Sequence, residues 1–177
     1  MLKVDENAVT EFGRKLTEAI RTGNTIFLCG NGGSAVNAVH IKNDLVKLVY
    51  DETGLPVNCV CLNDSVLLMT ALSNDERYEN VFSGQLEKMC ASFGDVLLVL
   101  TGSGNSQNVL EAARVAGETY SMTTLALTGM GGGKVIDLVD QTIVVDSDCM
   151  QVIEDIHRAI GHMLVHEVID NLNGEQP

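Results

Sequence analysis

A chain of 177 residues, 45% apolar and 20% charged, is long enough to bury the core of one domain and has the composition of an ordinary globular protein. Its net charge of −13, with 11 Lys and Arg scattered singly, excludes a nucleic-acid binder that works through a basic face. No apolar run approaches the ~18 residues of a membrane span, and the start Met1-Leu2-Lys3-Val4-Asp5-Glu6-Asn7 is unlike a signal peptide, so the expected compartment is the cytoplasm.

In chain order, a helix is predicted over Asn7–Arg21, then a strand over Thr25–Cys29. A second helix, Ser34–Val49, carries an apolar stripe of Val36, Val39, Ile41, Leu45 and Leu48. Strand Val57–Leu62 follows, then helices Asp64–Leu72 and Tyr78–Ala91. Strand Asp95–Leu100 leads into helix Ser106–Ala116, strand Thr123–Leu127 into a short helical segment Lys134–Val139, and strand Gln141–Val145 into the closing helix Met150–Asn171. Strands of near-continuous aliphatic character alternating with helices predict an α/β fold, a doubly wound five-stranded parallel sheet flanked by helices. There is no internal repeat or low-complexity tract, and Pro56 and Pro177 mark no linker, so residues 1–177 read as one domain. The closing helix is apolar on more than one face, through Ile153, Ile156, Ile160, Met163, Leu164, Val165, Val168 and Ile169, which predicts subunit packing. Five cysteines without a C-x-x-C spacing read as free thiols, with Cys29, Cys59 and Cys61 in strands. Met69, Met89 and Met163 read as core filler, and His157 and His166 as structural.

Two loops carry the chemistry. The first strand runs into Gly30-Asn31-Gly32-Gly33-Ser34 and then a helix, with Ser34 placed as its N-cap. Glycines there suit close approach of an anion, a plain turn, or a loose dinucleotide pattern. The third strand runs into Thr101-Gly102-Ser103-Gly104-Asn105-Ser106, again before a helix. Hydroxyls around a helix N-terminus hold a phosphate without a cation, which an acidic protein needs. Neither loop has the lysine of a P-loop. The acidic residues spaced for a dinucleotide ribose, Asp51 and Glu52, precede the second strand in an apparent loop, so no nucleotide cofactor is expected. His40 and Asp44 stand four apart, on one helix face. Glu154 and His162 stand eight apart, about 12 Å of rise and roughly 80° of rotation.

Taken in order, the chain resembles the SIS (sugar isomerase) family, and within it the phosphoheptose isomerases. The matching segments are Cys29-Gly30-Asn31-Gly32-Gly33-Ser34, His40, Ser73-Asn74-Asp75 with Tyr78 and Val81-Phe82, Gly94-Asp95-Val96-Leu97, and Ser103-Gly104-Asn105-Ser106. Ala126-Leu127-Thr128-Gly129 with Gly132-Gly133-Lys134 follows, then Glu154-Asp155-Ile156-His157 with Gly161-His162. The resemblance implies an SIS fold, usually a homotetramer with active sites at subunit interfaces, acting on a phosphorylated sugar. It also implies an aldose–ketose isomerase that converts sedoheptulose 7-phosphate to heptose 7-phosphate through an enediol or enediolate. By the same resemblance Asp44 and His162 are catalytic. Asn31, Gly32, Gly33, Ser34, Asn74, Asp75, Asp44 and Glu154 contact the sugar, and Thr101, Gly102, Ser103 and Ser106 hold the phosphate. His40, Asp44, Glu154 and His162 match positions that bind zinc in some members, one per subunit.

Three departures stand out. Asp44 replaces the family's glutamate, Glu154 its glutamine, and Thr101-Gly102 a Ser-Thr pair. The N-terminal helical region, residues 1–22, is shorter than usual. A non-catalytic SIS module that senses a sugar phosphate or binds a protein is the alternative reading, since it would keep the phosphate loop and lose the acid–base pair.

Overall fold

The computed structural model describes residues 5–174. Met1–Val4, part of the stretch read above as unlike a signal peptide, and the terminal Pro177 lie outside them. In chain order the elements are α1 (Glu6–Arg21), β1 (Ile26–Gly30), α2 (Gly33–Thr53), β2 (Cys59–Cys61), α3 (Val66–Asp75), α4 (Ser83–Lys88), β3 (Val96–Thr101), α5 (Gln107–Glu118), β4 (Thr123–Thr128), β5 (Gln141–Val144) and α6 (Met150–Gly174). Short 3₁₀ turns lie at Tyr78–Asn80 and Gly133–Asp137.

The five strands form one parallel sheet in the order β2-β1-β3-β4-β5. From β1 the chain moves one way to β2, then returns to place β3 on the other side of β1. The two glycine-rich loops therefore leave neighbouring strands, with Gly30 in register with Leu100. In an open parallel sheet this reversal of strand order leaves a crevice at the strand ends.

Alternate side chains of the strands point to two cores. Ile26, Leu28, Val96, Leu98 and Leu100 face α1, α2 and α6. Phe27, Cys29, Leu97 and Val99 face Val81, Phe82, Leu86 and the alanines of α5. A sheet covered on both faces explains the unbroken aliphatic runs. All five cysteines are free. Burial pushes the thiols of Cys29 and Cys59 far up and that of Cys61 to about 11, which leaves them as inert thiols.

Several expected boundaries move. The helix expected from Ser34 starts at Gly33, and Gly32 is its N-cap with φ +57°, a conformation suited to glycine. That helix continues to Thr53, so Asp51 and Glu52 lie in its last turn rather than in a loop. Ser65 caps α3 by accepting from Leu68 N at 3.2 Å, which shifts that helix toward the C-terminus. The helix expected over Tyr78–Ala91 divides, because Val81 and Phe82 are drawn into the core together with Leu86. Gln85 stitches the break, donating to the main-chain oxygens of Val81 (2.6 Å) and Leu62 (2.9 Å).

The closing helix α6 lies between α1 and α2, and its apolar faces are used inside the chain. Ile153, Ile160, Leu164, Val165, Val168 and Ile169 are all in the core. The several-sided apolarity thus reflects two neighbouring helices and a sheet. Met163 and Met89 are exposed rather than core filler, and the exposed apolar stripe runs along α2 through Val36, Val39, Val46 and Tyr50.

Candidate active site

The first loop is held by amides. Gly30 N donates to Asn63 Oδ1 at 3.1 Å, and Asn63 Nδ2 donates back to Gly30 O at 2.9 Å. At the tip, Asn31 forms a reciprocal pair with Asn108 of α5: Asn31 Nδ2 donates to Asn108 Oδ1 (2.8 Å) and Asn108 Nδ2 to Asn31 Oδ1 (2.9 Å). The Tyr78 hydroxyl donates to the same Asn31 Oδ1 at 3.0 Å. Among the described residues the N–H groups of Gly32 and Gly33 have no acceptor, as at other helix starts. Ser34 is inside the helix, buried, not at its cap.

The second loop is backed by main chain. Gly104 N donates to Thr101 Oγ1 at 3.2 Å, and Asn105 N to Ser103 Oγ at 3.3 Å. The turn after β4 supports it: Val135 N donates to Gly104 O at 3.0 Å and Lys134 N to Asn105 Oδ1 at 3.3 Å. Gly104 lies against Gly132 O, and Gly133 against Ser103 O, so closely that a Cβ at either position would overlap the opposing main chain. The motif Gly132-Gly133-Lys134 is therefore scaffolding for the second loop. Ser106 occupies the N-cap of α5 and makes no side-chain capping bond, which leaves its hydroxyl for a ligand.

Between the loops is a cavity of about 220 Å³ lined by Asn31, Gly32, Gly33, Ser34, Thr101, Gly102, Ser103, Ser106, Met150 and Glu154. A larger cleft of about 450 Å³ runs along α5, beside Arg77, Leu110 and Arg114, and is lined by neither glycine-rich loop. The smaller cavity is the one lined by both glycine-rich loops. The missing hydroxyl at Gly102 has a local reason: the Met150 sulfur occupies the space that a Cβ there would need. Glu154 lays its carboxylate over Gly33. Its main-chain oxygen accepts from the buried Asn37 at 2.8 Å, and Asn37 Oδ1 accepts from Arg158 at 3.2 Å.

Farther along α2 and α6 a second group gathers. His40 Nε2 and His162 Nε2 are 2.8 Å apart, so one ring donates and the other accepts. Asp44 Oδ2 is 3.3 Å from His40 Nε2 and 3.9 Å from His162 Nε2. The side chain of Asp44 is 14% exposed, against 36% for His40 and 48% for His162. One ligating atom from each residue lies within 4.8 Å of the others, a donor set of two imidazoles and a carboxylate suited to zinc.

Three of the four zinc positions expected from the sequence thus come together, and Glu154 does not join them. Two turns of helix separate it from His162, and it faces the cavity wall instead. Asn74 and Asp75 lie at the exposed end of α3, bonded to each other at 2.8 Å and outside the cavity lining. Asn108, Asn63, Asn37 and Met150 escaped the sequence reading. Asn108 carried one signal, a polar side chain among Val109, Leu110, Ala112 and Ala113 on a helix face that had to be buried. His157 is fully buried, with neither ring nitrogen hydrogen-bonded among the described residues. Burial pushes its pKa down; the Thr128 main chain opposes this in part, though its geometry falls short of a hydrogen bond.

The SIS domain family model matches residues 1–129. The phosphoheptose isomerase of Akkermansia muciniphila is 38% identical over 162 residues, 92% of this chain and 84% of that protein. That of Aquifex aeolicus is 38% identical over 149 residues, 84% of this chain and 76% of that protein. The solved phosphoheptose isomerase from Francisella tularensis superposes with a TM-score of 0.86 at 28% identity, over 93% of this chain and 86% of that one. The solved enzyme from Neisseria gonorrhoeae gives 0.81 at 29% identity, over 95% and 86%. With the strand order, both loops and the His–Asp–His group in place, the chain belongs to the SIS family, among the phosphoheptose isomerases.

Proposed function

We propose that this protein isomerises a ketose phosphate, sedoheptulose 7-phosphate, to heptose 7-phosphate through an enediol or enediolate. One observation carries the reading: a hydroxyl- and amide-lined cavity at the β1/β3 crevice shares helices α2 and α6 with an imidazole–carboxylate cluster. From Gly33 to His40 is about 10 Å of helix rise. An extended seven-carbon chain spans about 8 Å from C1 to C7. A phosphate on C7 held in the cavity leaves the C1–C2 end to extend along α2 in the direction of the cluster.

Ser103, Ser106 and the N-terminus of α5 hold the phosphate, and Thr101 braces that loop through Gly104. The Gly32 and Gly33 amides donate to sugar oxygens, and the Glu154 carboxylate accepts from sugar hydroxyls. Asp44 removes the proton from C1 and returns it to C2. His162 moves the hydroxyl protons, supplying one to O2 as its carbonyl becomes a hydroxyl and removing one from O1 as the aldehyde forms. His40, bonded to both, fixes their orientation. His40, Asp44 and His162 are also the residues that would hold a zinc, which would supply a Lewis acid for a carbonyl oxygen in place of the proton transfers assigned to them in the metal-free site.

A homotetramer is the assembly we assign. Val36, Val39, Val46 and Tyr50 form an apolar stripe beside the cluster, and a subunit laid over it would exclude water from His40 and His162. Placing a charge at Ile160 or Leu164 would unfold the subunit, since both are in its core. Val36→Lys and Tyr50→Glu are the suitable probes, and both are expected to give smaller species in sedimentation. The working compartment is taken as the cytoplasm; no helix among the described residues is long and apolar enough to cross a membrane. The non-catalytic reading is disfavoured, because the acid–base pair it would lose is retained.

The test follows product by NMR after mixing purified protein, with and without zinc, with sedoheptulose 7-phosphate. Heptose 7-phosphate formation that His162→Ala abolishes is the expected result. Ligand-induced thermal stabilisation without turnover would instead identify a sensing module.

A further inference from the structure

We propose that Asn108 and Tyr78 are positioning residues that orient the Asn31 carboxamide and thereby couple the phosphate loop to the sugar loop. This rests on the isomerase reading above.

The orientation follows from a chain of hydrogen bonds that starts at main chain. Val109 N, shared with the main-chain oxygen of Ser106 at 3.0 Å, donates to Asn108 Oδ1 at 3.0 Å, and this contact sets which end of the Asn108 amide is the oxygen. Asn108 Oδ1 then accepts from Asn31 Nδ2, and Asn108 Nδ2 donates to Asn31 Oδ1. The Tyr78 hydroxyl supplies a second donor to that Oδ1. Both acceptor sites of Asn31 are filled, and one N–H of its amide is left over at the cavity wall. The substrate thus meets a donor at Asn31, suited to a sugar oxygen that accepts, and not the carbonyl.

The coupling is equally direct. Asn108 is 2% exposed and lies two residues beyond Ser106, on the helix whose N-cap lines the cavity. Rotating its amide would leave buried polar groups unpaired. A ligand that orders the first turn of α5 therefore acts on Asn31 as well. Tyr78 brings in a third region, the turn after α3, through an exposed ring whose only hydrogen bond among the described residues is the one to Asn31.

The experiment compares wild type, Tyr78→Phe, Asn108→Ala and the double variant. For Asn108→Ala, kcat/KM is expected to fall about ten- to a hundredfold. For Tyr78→Phe the fall is about two- to tenfold. The double variant should fall no further than Asn108→Ala alone, because both act through Asn31. The Kd of inorganic phosphate should stay unchanged in all of them. Phosphate added to wild type or to Tyr78→Phe should slow amide exchange over residues 31–35 together with 103–107, and in Asn108→Ala and the double variant over 103–107 alone.

Unchanged kcat/KM in either single variant, fully multiplicative losses, or phosphate protection of residues 31–35 in Asn108→Ala as in wild type would each overturn the proposal. If Asn108→Ala does not fold, Asn108→Ser takes its place for the exchange measurement, and Tyr78→Phe, whose ring is exposed, still tests the orientation of Asn31. Wild type that shows no phosphate protection at residues 103–107 would overturn the isomerase reading, separately from this coupling.

Discussion

At the ends of β1 and β3 the chain repeats one pattern: strand, glycines, a serine, helix. In the first loop the side chains are consumed by the protein itself. Asn63 clasps Gly30, Asn108 and Tyr78 engage Asn31, and Ser34 is drawn into the helix. Main-chain N–H groups are what remain for a ligand. The second loop is reversed: main chain from the turn after β4 supports it, and the Ser106 hydroxyl is free. Similar local sequence thus yields one surface that offers amides and another that offers hydroxyls. The difference teaches that a glycine-rich strand–helix turn is only a platform, and its neighbours decide which groups face the ligand.

The strongest way to break this comparison is at the chemistry both loops serve. His162→Ala should lower kcat about 10²- to 10⁴-fold with phosphate affinity retained, measured by turnover and calorimetry. If phosphate affinity fell equally, the separation of the binding loops from the acid–base cluster would be lost. Next comes the second loop's hydroxyl. Ser106→Ala should weaken inorganic phosphate binding by about 1.5–3 kcal/mol, as for a hydrogen bond to a charged group. Ser34→Ala should have a smaller effect, because that serine is buried in its helix.

The glycines sharpen the contrast further. Gly104→Ala is expected to lower stability more than Gly32→Ala. At Gly32 the φ of +57° stands alone, with open space around a new Cβ, and such strain costs about 1–3 kcal/mol. At Gly104 the same kind of strain is joined by overlap with Gly132 O. Thermal melts of the two variants provide the check.

The smallest effect concerns pH. Burial lowers the His157 pKa from the ordinary 6.5, so the unfolded chain binds the extra proton first on acidification. Stability tied to His157 is complete above pH 6.5 and declines as pH falls below it. His157→Phe should flatten Tm against pH in that acid range. An unchanged slope would remove His157 from the account.

Much of this was legible in the chain itself. The five strands were found because both faces of the sheet are buried, which writes continuous aliphatic runs. The loops were found because glycines and hydroxyls follow strands directly. His40 and Asp44 were joined by a spacing of four. Other features were not legible. Tyr78 reaches Asn31 across 47 residues, and Asn31 reaches Asn108 across 77. Nothing local in the helix pattern told that Val81 and Phe82 would break it to enter the core. The closing helix looked like an interface because its apolar faces are indistinguishable, in sequence, from faces covered by α1 and α2.

The amino-acid order by itself determined the alternation of strands and helices, the two glycine-rich platforms and the pairing of a histidine with a carboxylate on one helix. These depend on preferences that act over a few residues. Only the tertiary structure decided that the platforms lie side by side, that His162 meets His40 while Glu154 turns to Gly33, and that Asn31 shows a donor. Those outcomes depend on strand order and on satisfying buried polar groups across the sheet, and such long-range pairing is set by packing.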